Sequence, residues 1–192
     1  MGMKKYINDY KTNLSVNEKG EQIRTYEYQG DYFKLPFSTA QMQKYKTTFL
    51  LLLAGIIIAH IAGGFVNNAG MRKFFVAIPY AFTFLPIFNL IRSGIRLPVE
   101  ERNYRREEIG VTYERFTTHS MILLIILGAF LAGEEVFLLF FSNGGLVASE
   151  FYFLAAELAA LALGLTIHFN IKKVVITRAA DEEKTSVEAM VA

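Results

Sequence analysis

Four long apolar blocks, separated by charged segments, dominate the sequence. They occupy about 47–67, 74–91, 120–141 and 151–169. At a rise of about 1.5 Å per residue, a helix of about 20 apolar residues crosses roughly 30 Å of hydrocarbon. The pattern therefore predicts an all-α membrane protein with a four-transmembrane-helix bundle over 38–176. We expect a cytoplasmic juxtamembrane segment over 1–37 and a polar C-terminal tail over 177–192.

Basic residues beside the apolar blocks predict the orientation. The flank between the first two blocks carries only Arg72 and Lys73. The flanks before the first block, between the second and third, and after the fourth carry Lys34, Lys44, Lys46, Arg92, Arg96, Arg102, Arg105, Arg106, Arg115, Lys172, Lys173 and Arg178. Because Lys and Arg in short flanks favour the cytoplasmic side, we expect both termini in the cytoplasm and the protein in the plasma membrane.

The polar N-terminal segment predicts a small β-structure. Gln22–Tyr28 alternates weakly and is rich in β-forming residues, and Tyr32–Leu35 can pair back on it. This indicates a small β-hairpin or meander, with a disordered tail as the alternative. Ser38 and Gln41 then have the spacing of a capping box, which predicts that the first helix begins there.

The connection between the second and third blocks predicts a further helix. Pro98, followed by Glu100 and Glu101, is typical of a helix start. We therefore expect an amphipathic cytoplasmic helix between the second and third spans, either as a docking surface or as a solvated linker.

Small residues at intervals of four predict close helix packing, because they allow the backbones of two membrane helices to approach closely. Such runs occur on the first, third and fourth helices: Gly55, Ala59 and Gly63; Gly128 and Ala132; Ala156, Ala160 and Gly164. We expect these three helices to pack closely. The second, with Pro79 and Pro86, is expected to be bent and more peripheral.

Five ionisable residues lie at a shared depth in the predicted spans, about 10 Å below the outer boundary: His60, Tyr80, Glu134, Glu135 and Glu157. Ionisable groups inside a bilayer are costly and usually face the helix bundle or a water path. Helical spacing puts Glu135 on the small-residue face of the third helix and Glu134 toward lipid. We therefore expect His60, Glu135 and Glu157 to converge.

Three interpretations of this cluster remain open. His60, Glu135 and Glu157 can hold a divalent metal, although no H-x-x-E-H, E-x-x-H or H-E-x-x-H spacing occurs. The carboxylates can instead share a proton or bind a cationic substrate. The third interpretation is that these polar contacts fix the register of the helices.

Composition excludes several other classes of function. The net charge of +2 gives no basic field for nucleic acid. Since the chain has no cysteine, thiol catalysis and Cys-ligated metal centres are excluded. No P-loop, dinucleotide-binding or nucleophile-elbow motif occurs.

The polar aromatic head, the four spans and the arginine-rich connection resemble small bacterial membrane proteins in general. This resemblance transfers no residue role. The sequence therefore predicts a non-enzymatic accessory subunit of a membrane complex, or a homo-oligomer, embedded in the lipid bilayer. The alternative is a proton-coupled or cation-binding carrier, or a membrane metal enzyme, that uses the intramembrane cluster.

Overall fold

The computed structural model describes residues 3–16, 22–142 and 148–180. Four helices are long and apolar enough to cross a membrane: α1 (Thr39–Gly64), α2 (Phe74–Ile95), α3 (Arg106–Phe140) and α4 (Ala148–Lys172). Short 3-10 helices occupy Met3–Asp9 and Gly70–Arg72. The four apolar blocks therefore form four helices, which indicates an integral membrane protein.

The start of α1 is the capping box that the sequence predicts. The backbone N–H of Gln41 donates to Ser38 Oγ at 3.4 Å, and the Ser38 N–H donates to Gln41 Oε1 at 2.9 Å. These two bonds satisfy backbone donors that the first turn of a helix otherwise leaves unpaired.

The predicted separate helix between α2 and α3 is wrong. The chain from Leu97 to Asn103 has no helix, and α3 begins at Arg106 and runs without a break through the third apolar block. A π-helical turn over Gly110–Glu114 lies within it. A Cβ atom at Gly110 would overlap the Tyr6 hydroxyl, so any larger residue here would displace that side chain.

The strands form two antiparallel sheets. Strand β1 (Tyr10–Val16) pairs with β2 (Gln22–Tyr28) in a hairpin. Strand β3 (Tyr32–Lys34) lies between β4 (Tyr104–Arg105) and β5 (Thr177–Arg178). The strand at Gln22–Tyr28 is thus confirmed. Its predicted partner is wrong, because it pairs with the preceding segment of chain.

The three-stranded sheet gathers distant parts of the chain at one end of the helices, which we call the sheet end. It joins the N-terminal segment, the connection after α2 and the segment after α4. The predicted polar tail therefore begins with a paired strand, and residues 181–192 lie outside the described residues. The connection 65–73 lies at the other end of the helices, the loop end.

Helix packing differs from the sequence prediction. The most extensive contact is between α2 and α3, followed by α1 with α4 and α3 with α4. The expectation that α2 is peripheral is therefore wrong. On α3, Ala132 is exposed and a Cβ at Gly128 would meet nothing within 4 Å, so this pair does not mark the interface. Large apolar side chains fill that interface instead, including Leu127, Phe130 and Phe137.

The apolar core has two parts. The larger cluster lies toward the sheet end and includes Phe49, Leu90 and Phe116. The smaller cluster lies toward the loop end and includes Val76, Phe130, Phe137 and Phe153. On α4, Glu157 lies between Phe153 of the smaller cluster and Ala160 of the larger. A polar site is therefore enclosed between two apolar layers.

Candidate functional site: a buried histidine–glutamate pair and a second carboxyl pair

His60 on α1 and Glu157 on α4 form a direct contact. His60 Nδ1 lies 3.0 Å from Glu157 Oε1 and 2.9 Å from Oε2. Both side chains are 0% exposed. The sequence predicts that His60, Glu135 and Glu157 converge, and the structure brings His60 and Glu157 of this set into contact.

Tyr80 on α2 completes the site. Its hydroxyl donates to the His60 backbone oxygen at 2.7 Å, and its own backbone oxygen lies 3.3 Å from His60 Nε2. The two rings stack with centroids 4.1 Å apart. Three helices are thus joined by a closed set of contacts in which both ring nitrogens of His60 are used.

Two glycines of α1 make room for this set. A Cβ at Gly63 would stand 2.8 Å from Glu157 Oε1, and a Cβ at Gly64 would overlap the Tyr80 hydroxyl. Aromatic rings of Phe84, Phe130 and Phe153 lie around Tyr80. The small-residue run ending at Gly63 therefore lies at a close contact of α1, as the sequence predicts.

The hydrogen-bond partners limit the arrangements of protons that suit the pair. If Nε2–H donates to the Tyr80 oxygen, then Nδ1 faces the carboxyl across a single proton. That proton resides either on His60, giving an ion pair, or on Glu157, giving a neutral acid and imidazole. Both forms carry zero net charge, which is the form that costs least to bury among apolar side chains.

A second polar site lies nearer the loop end. The side-chain amide of Asn68 donates to Glu134 Oε1 at 2.9 Å, and the Ala69 N–H donates to Glu150 Oε1 at 2.8 Å. Asn68 Oδ1 also accepts from the Met71 N–H at 2.8 Å. The connection after α1 is therefore tied to α3 through Glu134 and to α4 through Glu150.

The predicted faces of Glu134 and Glu135 are reversed. Glu134 is buried, whereas Glu135 is exposed. The prediction took Gly128 and Ala132 as the packed face, but that face is the open one. His60, Glu135 and Glu157 are therefore not brought together as a three-residue set.

Glu150 is not among the site residues predicted from the sequence. The sequence does contain a signal for Glu150, because this residue lies seven positions before Glu157 and so shares its helical face. A third buried polar residue of α4 continues this stripe: His168 Nδ1 lies 2.9 Å from Ser120 Oγ on α3. Glu150, Glu157 and His168 give α4 polar contacts with the connection after α1, with α1 and with α3.

Among the residues that the structure describes, no group of three or more His, Asp or Glu side chains is placed to hold a metal ion. The divalent metal stays a prediction from the sequence. No family model, curated protein or solved structure matches this chain.

Proposed function

We propose that the chain is a non-enzymatic accessory subunit of a membrane complex. A four-helix bundle anchors it in the plasma membrane, with the sheet end and both termini in the cytoplasm. Pairing of β3 with β4 and β5 holds the three basic flanks at one end of the helices. The bias of Lys and Arg toward that end supports the cytoplasmic assignment.

One observation carries the assembly function, namely the exposed face of the hairpin β1–β2. Tyr10, Thr12 and Leu14 share a face with Tyr28, Tyr26 and Arg24, their partners across the pair. Leu14 and Tyr26 are each 66% exposed. On the opposite face, the side chains that the structure describes are polar: Lys11, Asn13, Thr25 and Glu27.

Tyrosines fix the base of the hairpin to the helices. The Tyr10 hydroxyl donates to Glu107 Oε1 at 2.5 Å, and the Arg106 N–H donates to the Tyr28 hydroxyl at 3.0 Å. Burial and the hydrogen bond to Glu107 raise the pKa of Tyr10, so the phenol is a protonated donor at neutral pH. The hairpin therefore projects from a fixed base.

A projecting two-stranded hairpin is marginally stable by itself. Its aromatic and apolar face has the composition of protein interfaces, which are enriched in tyrosine and arginine. Arg24 adds a positive charge to the part of this face that lies away from the hairpin base. The partner that fits is a cytoplasmic segment of another protein with apolar and acidic side chains.

The closed geometry of the His60 site agrees with this function. The imidazole nitrogens and the Glu157 carboxyl are used by one another and by Tyr80, and His60 and Glu157 are fully buried. These groups stabilise the arrangement of α1, α2 and α4. Helix α3, which holds the base of the hairpin, packs against α2 and α4.

Site-specific photo-crosslinking in the native host tests the proposal. We expect a benzophenone amino acid at position 26 to give one discrete heteromeric product, because Tyr26 lies on the proposed contact face. The same probe at Thr25, exposed on the polar face of the same strand, is the matched control and should give none.

Charge reversal makes the test specific. Arg24→Glu should abolish the product from position 26 without changing the melting temperature, since Arg24 is exposed. Equal crosslinking from positions 25 and 26, a product that survives Arg24→Glu, or a product of two copies of this chain would contradict the proposal.

A proton-coupled or cation-binding carrier is the second candidate function. It is favoured by the unpartnered buried oxygens of Glu134 and Glu150. In proteoliposomes with an entrapped pH dye, a carrier should pass protons under an imposed gradient, and Glu134→Gln should stop them. Wild-type protein that gives no flux above empty liposomes would remove this candidate.

A further inference from the structure

The carboxyl groups of Glu134 and Glu150 each have one oxygen without a partner. Glu134 is 0% and Glu150 2% exposed, and Oε2 of each accepts no hydrogen bond. The Oε1 atoms, in contrast, accept from Asn68 and from the Ala69 N–H. A buried acceptor without a donor is destabilising, and more so when it is charged. The site is therefore incomplete as built from protein atoms alone.

The two carboxyl groups are held side by side, because Glu134 accepts from the side chain of Asn68 and Glu150 accepts from the backbone N–H of the next residue, Ala69. Two facing carboxylates in an apolar setting cannot both ionise at low cost, because their charges repel and neither is solvated. One proton between them turns one oxygen into a donor and satisfies both. We propose that Glu134 and Glu150 form a proton-binding site, in which one carboxylic acid donates its O–H to the other carboxylate.

The charged side chains described around the site are not placed to pair with the two carboxyl groups. Lys73 directs its Nζ over the Phe141 ring at 5.0 Å from the centroid, and Arg72 and Glu135 are exposed. The adjoining turns of α2, residues 74–79, and the chain over 141–149 carry no ionisable side chain. Within the described residues, neither carboxyl is paired with a cation.

The next ionisable groups lie deeper in the helices. Glu157 is seven residues further along α4, about 10 Å away along the helix axis, and it is neutralised by His60. Tyr80 lies in that same deeper site, where its hydroxyl donates to the His60 backbone oxygen. Within the described residues, no other ionisable group at the depth of Glu134 and Glu150 compensates their negative charge. The shared proton compensates part of it.

The backbone is shaped to enclose the carboxyls. A Cβ at Gly70 would overlap Glu134 Oε2 and stand 2.9 Å from Asn68 Oδ1. Glycine thus lets the connection 65–73 close over the acid. Glu150 lies in the first turn of α4, close to the loop end. The proton is therefore exchanged with water at that end and need not cross the bilayer.

Loss of the proton has a structural consequence. The pair takes up one proton from the aqueous phase and goes from a charge of −2 to −1. Its release at alkaline pH sets two unsolvated carboxylates against each other and weakens the ties of the connection to α3 and α4. The site makes the loop end less stable as pH rises.

Infrared spectroscopy of the purified protein in lipid nanodiscs tests the proposal. The wild type should show the C=O band of a protonated carboxylic acid at neutral pH, and this band should disappear on titration to alkaline pH. Glu134→Gln and Glu150→Gln should each lose it, because the new amide donates to the remaining carboxylate. Glu135→Gln and Glu157→Gln should retain the band of the pair, and any C=O band that comes from Glu157 itself is identified by its loss in Glu157→Gln alone.

Thermal unfolding supplies a second readout from the same preparations. The wild-type Tm should fall as pH rises, whereas both Gln variants at the pair should lose this dependence and still unfold cooperatively. A band unchanged in Glu134→Gln and Glu150→Gln, or a pH-independent wild-type Tm, would overturn the proposal. Stoichiometric Ca²⁺ binding at neutral pH that Glu150→Gln abolishes would assign the site to a metal cation and also overturn it.

Discussion

His60 and Glu157 depend on each other because neither contacts water. Each is fully buried, and their contact at 2.9 Å links α1 to α4 through polar side-chain atoms. Removing one member of a buried ion pair leaves the other uncompensated, at a cost of about 3–5 kcal/mol. The contribution of the pair to stability therefore depends mainly on the presence of both partners, and less on the strength of the attraction between them.

Substitutions at Glu157 should separate these effects. Glu157→Leu leaves His60 Nδ1 unpaired and should destabilise the protein by about 3–5 kcal/mol. Glu157→Gln should cost only about 1 kcal/mol, because its amide can still donate to Nδ1. Detergent melting curves measure both. Glu135→Leu, at an exposed position of α3, is the control and should change little. Similar losses at 135 and 157 would contradict this account.

Residue placement was only partly predictable. Depth along a helix follows from counting residues, so His60, Tyr80 and Glu157 were correctly brought to one level. The choice between Glu134 and Glu135 depends on a rotation of about 100° per residue. It failed because Gly128 and Ala132 face outward. Glu150 was overlooked because it precedes the apolar block, although it shares the face of Glu157.

At the scale of elements, the close contact of α2 with α3 has a backbone cause. Pro79 has no N–H, so the Phe75 carbonyl lacks its usual helical donor. Gly133 of α3 lies against that carbonyl, and a Cβ there would stand 2.8 Å from the Phe75 oxygen. The proline and the glycine together allow the two helices to approach.

Two glycines of α3 provide a matched test of this contact. Gly133→Ala should destabilise the protein by about 1–3 kcal/mol, because the added methyl group meets backbone that cannot move aside. Gly128→Ala meets nothing within 4 Å and should be neutral, or stabilising by up to about 1 kcal/mol through helix propensity. Unfolding by denaturant measures both. Equal effects at the two positions would show that Gly133 is not a contact.

Elements that depend on local sequence were predicted, and those that depend on distant pairing were not. The capping box of Ser38 and the β-character of Gln22–Tyr28 are local signals. Strand β3 is formed by partners about 70 and 145 residues away along the chain, Tyr104–Arg105 and Thr177–Arg178. Short strands of this kind have no periodic pattern in the sequence that would reveal them.

At the scale of the whole molecule, the two ends of the helices have different chemistry. The sheet end carries the basic flanks, the three-stranded sheet and the projecting hairpin. The loop end carries the carboxyl pair beneath the connection 65–73. The proposed partner contact and the proposed proton exchange therefore take place on opposite sides of the membrane, and both depend on the orientation of the chain.

Labelling of single cysteines in intact cells tests this orientation most directly. The chain has no cysteine, so Asn67→Cys at the loop end and Asn103→Cys at the sheet end are clean, matched probes at exposed positions. A membrane-impermeant maleimide should label Asn67→Cys in intact cells and Asn103→Cys only after permeabilisation. Labelling of Asn103→Cys in intact cells, with Asn67→Cys protected, would reverse the orientation and contradict the account.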